Sequence, residues 1–246
     1  MARRLSPTGL LAILQPWADV AEPIHRRLAQ LADAEPGQEV LWVGCGSGRS
    51  VLWWAERFRT HIEGVDPDHN AIEAAERASR RADLASLVTF QTATPDDLPH
   101  EAQVFDVTIA NLLYLFGTDG ARILQEAGRV ARPMSTVMAL VPSWLSTPDP
   151  EDARLLGSLG LQPHLLVEWK SFFREAGIVE LSVEDAALDG NWIAYGWIGL
   201  LIRGWRAARW VGVGMVLSRE VRTLRSLARQ RVLGLSIVKG TRWPHG

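Results

Sequence analysis

One cysteine in 246 residues excludes an internal disulfide and any metal site made of clustered thiolates, and it suits a reducing compartment. The six histidines show no ligand spacing, so no metal is expected. No stretch reaches the ~18 consecutive apolar residues of a membrane span. The apolar run Gly9 to Leu14 follows Arg3 and Arg4, but it is only about six residues long, short of a secretory core segment, and Gln15-Pro16 ends it. Repeats and low-complexity tracts are lacking too. The expected location is the cytoplasm. What is present is ordinary for a globular chain: 47% hydrophobic and 22% charged residues, in a length that fits one α/β domain with an appended element.

Charge is unevenly placed. The net value is −2, yet residues 1–190 carry 16 Lys and Arg against 27 Asp and Glu, while residues 191–246 carry 10 against Glu220 alone. The C-terminal quarter is therefore a different kind of element. Asn191 to Gln230 has little turn chemistry and reads as two helices. Ile193 to Val211 holds Trp197, Trp205 and Trp210, with Arg203, Arg206 and Arg209 inside a ~120° arc. From Ser218 on, Arg219, Arg222, Arg225 and Arg229 share one side, opposite Leu217, Val221 and Leu224. Such helices suit a cap that packs its apolar stripe on the domain. They also suit peripheral membrane contact through 191–230, with Arg on anionic head groups and Trp at the boundary. Nucleic acid is a poorer partner, because stacking aromatics and lysines are sparse there.

The most informative stretch is Val40-Leu41-Trp42-Val43, an apolar strand that runs straight into Gly44, Gly46 and Gly48, with a helical pattern from Arg49 to Phe58. A glycine-rich turn between strand and helix is where open α/β sheets take nucleotide-like ligands. A dinucleotide fingerprint would need glycine at position 49, where Arg49 stands, and a phosphate-cradling loop would need a lysine that the turn lacks. Strands and helices then alternate to about Val141, which predicts a parallel doubly wound sheet. Gly-x-Gly-x-Gly after a strand resembles motif I of the class I S-adenosylmethionine (SAM) methyltransferases.

The resemblance extends over roughly residues 35 to 185. His61 to Asp66 reads as a second strand ending in a carboxylate 18 residues after Gly48, and Asp68 as the N-cap of a helix over Asn70 to Arg81. Leu87 to Gln91, Phe105 to Asn111 and Ser135 to Val141 read as further strands, and Leu124 to Arg132 as a helix. Thr94-Pro95-Asp96-Asp97-Leu98-Pro99 looks like the family's adenine-binding loop. What this implies is a Rossmann-like α/β sheet of seven strands, with residues 1–185 and 231–246 as the SAM-binding domain. A helical insertion, 186–230, precedes the last strand at Val232 to Val238 and forms a lid. The segment Trp17 to Asp33 would be the helix that covers the cofactor. Pro142 to Pro163 reads as a long loop with one helix, Pro150 to Leu159; Leu165 to Ala176 reads as a helix with Gly177 at its C-cap, and Ile178 to Val183 as a strand.

The resemblance also implies the cofactor, SAM with S-adenosyl-L-homocysteine as product, and its contacts: Val43, Gly44, Cys45, Gly46, Gly48, Asp66, Pro67, Thr94, Pro95, Asp96, Asn111 and Leu112. The acid of the second strand, Asp66, would accept from the ribose hydroxyls. Three positions depart from the family. Trp42 stands where it usually has an acid that orients the methionine ammonium. Thr94 replaces a common Asp, and Pro95 has no N–H for the adenine ring. Cys45 has no adjacent histidine and reads as a backbone contact rather than a nucleophile.

Methyl transfer needs alignment, exclusion of water and removal of one proton. Tyr114, Phe116, Trp144 and Trp192 are expected around the acceptor. Leu115 and Phe116 hold positions where many relatives carry histidine, so the candidate bases are His164 and Tyr195. The expected activity is methylation of a small lipophilic metabolite such as a quinone, polyketide, isoprenoid or lipid, in the style of the ubiquinone/menaquinone-type enzymes. The alternatives are a SAM-binding partner subunit without catalysis, motivated by Trp42, Thr94 and Pro95, and an RNA methyltransferase using the basic C-terminal quarter.

Overall fold

The computed structural model describes residues 22–113, 118–158, 160–186 and 219–244. Its first half alternates as far as the third strand and then adds a fourth without an intervening helix: α1 (Glu22–Ala32), β1 (Glu39–Val43), α2 (Arg49–Phe58), β2 (His61–Asp66), α3 (His69–Arg81), β3 (Val88–Thr92) and β4 (Phe105–Asn111). The second half adds α4 (Gly120–Val130), β5 (Ala131–Trp144), α5 (Pro150–Ser158), β6 (His164–Leu165) and α6 (Leu166–Glu175). It closes with β7 (Ile178–Asp185), α7 (Arg219–Arg229) and β8 (Leu233–Arg242). The strands form one sheet in the order β3-β2-β1-β4-β5-β8-β7, with β6 on the end of β5. β8 is antiparallel to both its neighbours, β5 and β7. The strands from β3 to β5 are mutually parallel. This is the seven-stranded open sheet expected, plus a two-residue eighth strand.

Parallel strands are covered on both faces, which is why β1 reads as an unbroken apolar run and is buried from Val40 to Val43. Successive side chains alternate between the faces. Trp42 goes to the side of α1, α2 and α3, with Leu28, Trp54, Ile72, Ile109 and Met138. Leu41 and Val43 go to the side of α4 and α6, with Ile123, Ala127, Trp169 and Phe173. Asp68 caps α3, as expected: its Oδ1 accepts from the Asn70 amide at 2.9 Å. α1 is pinned at two points, by a bidentate Arg27–Glu184 pair to β7 and by Arg57 of α2 donating to Glu22 at 3.2 Å.

β5 runs on past Val141 to Trp144 and takes Pro142 into a strand. Pro142 is tolerated because β4 pairing stops at Leu140 and β6 pairing starts at Ser143, so no ladder bond is required of it on that side. The last strand begins at Leu233 and reaches Arg242, further than expected. Of the basic insertion, α7 buries Leu224, Leu227 and Ala228 against Trp144, Leu156, Leu161 and Leu233. Arg222 and Arg229 stay exposed. This part behaves as a cap packed on the domain. The helix expected over Ile193 to Val211 lies outside the described residues. No helix among the described residues is long and apolar enough to cross a membrane.

Candidate functional site

The turn after β1 is held by β2. The Gly44 and Cys45 amides both donate to the Val65 carbonyl, at 2.8 and 3.1 Å, so the chain folds back over the strand ends. Gly46 (φ 52°) and Gly48 (φ 80°) both adopt the left-handed backbone that L side chains avoid. Their surroundings differ. A Cβ on Gly48 would meet Ala75 Cβ and Phe90 Cζ at 2.8 Å, whereas one on Gly46 would meet no atom within 4 Å. Gly48 is a packing requirement, and Gly46 borders open space. α2 starts at Arg49 without a side-chain cap on its first-turn amides, a favourable place for a ligand oxygen.

Asp66 ends β2 and is 7% exposed. Its Oδ2 accepts from the Gly46 amide at 2.8 Å and its Oδ1 from the Asp68 amide at 3.0 Å. Burial pushes this carboxyl above the ordinary aspartate range, the Asp68 and Gly46 amides pull it part of the way back, and the Asp68 charge adds a smaller push upward. A carboxylate has about four acceptor positions, so capacity remains for a pair of hydroxyls. Pro67, beside it, is exposed. Cys45 is buried, and burial with the nearby Asp66 charge raises its thiol well above the usual range, which makes it inert as a nucleophile. Val43 belongs to the core.

The loop after β3 is fastened from below by α4. Arg129 donates to the His100 carbonyl at 2.7 Å and the Leu98 carbonyl at 3.0 Å, and it pairs with both oxygens of Glu126 at 2.7 Å. Glu126 in turn accepts from the Leu98 amide at 2.9 Å. The Arg129 guanidinium holds the Glu126 carboxyl below its ordinary range. Above this clamp, Thr94 is exposed, Pro95 buried and Asp96 half-buried. Sequence reasoning missed the clamp, because an acid and a base three residues apart on a helix signal only a surface pair.

β4 delivers Asn111, 2% exposed, and then Leu112, whose amide donates to the Leu140 carbonyl at 3.0 Å. Leu112 lines a small solvent-open cleft with Thr118, Pro142, Leu161, His164 and Trp169 among its other walls. His164 lies edge-on to Trp169 and Phe172, at centroid distances of 5.0 and 5.2 Å, with Nδ1 3.7 Å from Glu168 Oε2. Trp169 is fixed by donating to the Pro142 carbonyl at 3.0 Å. Trp144 is not among this cleft's walls. It is 8% exposed and fills the cluster between α5, α7 and β8, so its expected acceptor role gives way to core packing. Tyr114, Phe116, Trp192 and Tyr195 lie outside the described residues.

Two further buried groups stand behind the glycine turn. His25 Nε2 of α1 is 2.7 Å from the Ser50 hydroxyl in the first turn of α2. Trp42 is 1% exposed, stands edge-on to His25 and Trp54, and brings no carboxylate to the turn. No periodicity in the sequence singles out His25 or Ser50.

An open sheet in this strand order, with a glycine turn after β1 and a buried acid ending β2, defines the class I methyltransferase fold. Residues 40–134 match a family model described as a methyltransferase domain, and this match, with relatives named as methyltransferases, supports a class I SAM-dependent methyltransferase. Among similar proteins, methyltransferase GfsG of Streptomyces halstedii is 29% identical over 120 residues, 49% of this chain and 43% of that one. The 27-O-demethylrifamycin SV methyltransferase of Amycolatopsis mediterranei is 28% identical over 166 residues, 65% of this chain and 61% of its own length. These matches thus span less than two thirds of either relative. A solved structure, geranyl diphosphate C-methyltransferase of Streptomyces coelicolor with geranyl diphosphate and S-adenosylhomocysteine, superposes with a TM-score of 0.70 at 15% identity. That superposition covers 89% of this chain and 77% of the other.

The residues present fit SAM. Open space beside Gly46 admits the ligand backbone-close, Asp66 keeps acceptor capacity at the ribose position, and uncapped amides begin α2.

Proposed function

We propose that the protein transfers the methyl group of SAM to a small, lipophilic metabolite. The observation that supports the acceptor class is the cleft beside Leu112, where the apolar walls Pro142, Leu161 and Trp169 meet the polar groups Thr118, Gln162 and His164. Apolar walls joined to a few convergent polar groups are a usual feature of small-molecule sites. The relatives named for 27-O-demethylrifamycin SV and geranyl diphosphate, a polyketide and an isoprenoid, support a small-molecule acceptor of those classes.

Bound SAM supplies an activated methyl group on a sulfonium. Asp66 and the Gly44–Gly48 turn would hold the donor, and the Glu126–Arg129 clamp steadies the loop at Leu98 and His100 that the family resemblance assigns to its base. Leu112, at the end of β4, borders both donor and acceptor. His164, near Glu168 and with its ring braced by two aromatics, would accept the acceptor's proton.

The test has two stages. Calorimetric titration with SAM and its demethylated product should give about micromolar binding, about −8 kcal/mol, that is lost in Asp66→Ala. A labelled-methyl screen should then mark quinone, polyketide, isoprenoid or lipid acceptors. Methylation of strictly polar acceptors alone would overturn the lipophilic assignment, and absent binding would favour a non-catalytic partner subunit.

A further inference from the structure

Asn111 Oδ1 is buried and has no hydrogen-bond partner among the described residues. A dry, unpaired amide oxygen is unfavourable, so a donor belongs there in the working protein. Its place in the sheet says which kind. Ala110 is the last β4 residue paired with β1, opposite Val43, so Asn111 stands beside Gly44 where β1 turns away. Strand alternation puts Asn111 on the face of Ile109 and Leu113, which is also the face of Trp42. Asp66 ends β2 on the far side of β1. Two strand spacings set the two ends about 10 Å apart along the carboxyl edge of the sheet.

A donor whose ribose sits at Asp66 must send its amino acid arm across β1 toward β4. That arm carries an ammonium with three N–H groups. Trp42, buried and with its own indole N–H also unpartnered among the described residues, is a donor and offers the ammonium no carboxylate. We propose that Asn111 Oδ1 accepts from the α-ammonium of the bound methyl donor, so that a neutral amide one step further along the same face does the work of an anchoring acid. The assignment rests on the SAM-binding reading above. It also gives the orphaned oxygen a charge-assisted partner, stronger than a neutral one.

The experiment is calorimetry of the full chain with S-adenosylhomocysteine and with its deamino analogue, which keeps the carboxylate and lacks the α-amino group. Wild type should prefer the amino-bearing ligand by roughly 10-fold or more. Asn111→Leu should abolish that preference while leaving affinity for the deamino analogue within about 2-fold. Asn111→Asp, which restores an acceptor in the same volume, should keep or increase the preference, and it carries the test if Asn111→Leu does not fold. Equal weakening of both ligands in Asn111→Leu, or a preference that survives it, would overturn the assignment. Wild type that binds both ligands alike would overturn it as well while leaving the SAM-binding reading intact. Wild type that binds neither would remove that reading and this one together.

Discussion

The amide of Gly46 donates to the carboxylate of Asp66 at 2.8 Å, across the ends of β1 and β2. The turn that shapes the cofactor site and the acid that would read the ribose are thus one hydrogen-bonded unit. Because that carboxylate is buried, its charge is costly and its proton is held more tightly than usual.

Binding should therefore be acid-sensitive. A raised carboxyl takes up its proton at a higher pH than an ordinary aspartate, so affinity for SAM should begin to fall above the usual carboxylate range. The same group acts on stability in the opposite sense. Its favourable contribution is complete below the ordinary aspartate pKa and is lost as pH rises through the raised value. Calorimetry and thermal melting across pH 4 to 8 should show these opposite trends, both flattened in Asp66→Asn.

Two glycines in the same turn should fail differently. Gly46→Ala should cost about 1–2 kcal/mol for its left-handed backbone, keep the fold, and lose SAM affinity as the new methyl fills the open space. Gly48→Ala adds a clash with Ala75 and Phe90 and should cost about 2 kcal/mol or more in stability. Denaturant melts paired with calorimetry separate the two. Equal stability losses would contradict the division of roles.

Arg129→Met should loosen the loop from Leu98 to His100. The pair is partly exposed, so the stability loss should be only about 1 kcal/mol. Hydrogen exchange of the Leu98 amide should rise more than exchange in β4. Since Arg129 lowers the Glu126 carboxyl, the pair's contribution is present at neutral pH and fades as pH falls through that lowered value. The variant should lack this acid-side slope.

Cys45 should resist alkylation in the folded protein at neutral pH, since it is both buried and held as a thiol. Iodoacetamide labelling followed by mass spectrometry should track global unfolding in denaturant. Fast labelling under native conditions would mean that the glycine turn opens by itself.

Local signals carried most of the sheet. β1 is an apolar run that ends in glycine, β2 a short mixed strand that ends in an acid, and β4 an apolar-rich strand that ends in Asn111, and their places follow from that pattern. The Asp68 cap was legible for the same reason. Trp144 was not. An aromatic after the fifth strand looks the same in sequence whether it faces a ligand or a neighbouring helix, and here α5 and α7 close over it. The Arg129 clamp and the His25–Ser50 contact join residues 25 to 31 positions apart, and no local period records such pairings. The extension of β5 through Pro142 was hidden because proline reads as a break until the gap between its partner strands is known.

Trp42 and Trp54 stand 5.8 Å apart and nearly perpendicular, with Trp53 on the same helix under Arg57. Rings this close share excitation energy, so light absorbed by one is emitted by whichever lies lowest. The joint between α1, β1 and the glycine turn is therefore its own lamp. A change in how the N-terminal helix seats over the turn will alter the colour and yield of the protein's emission, with no added dye.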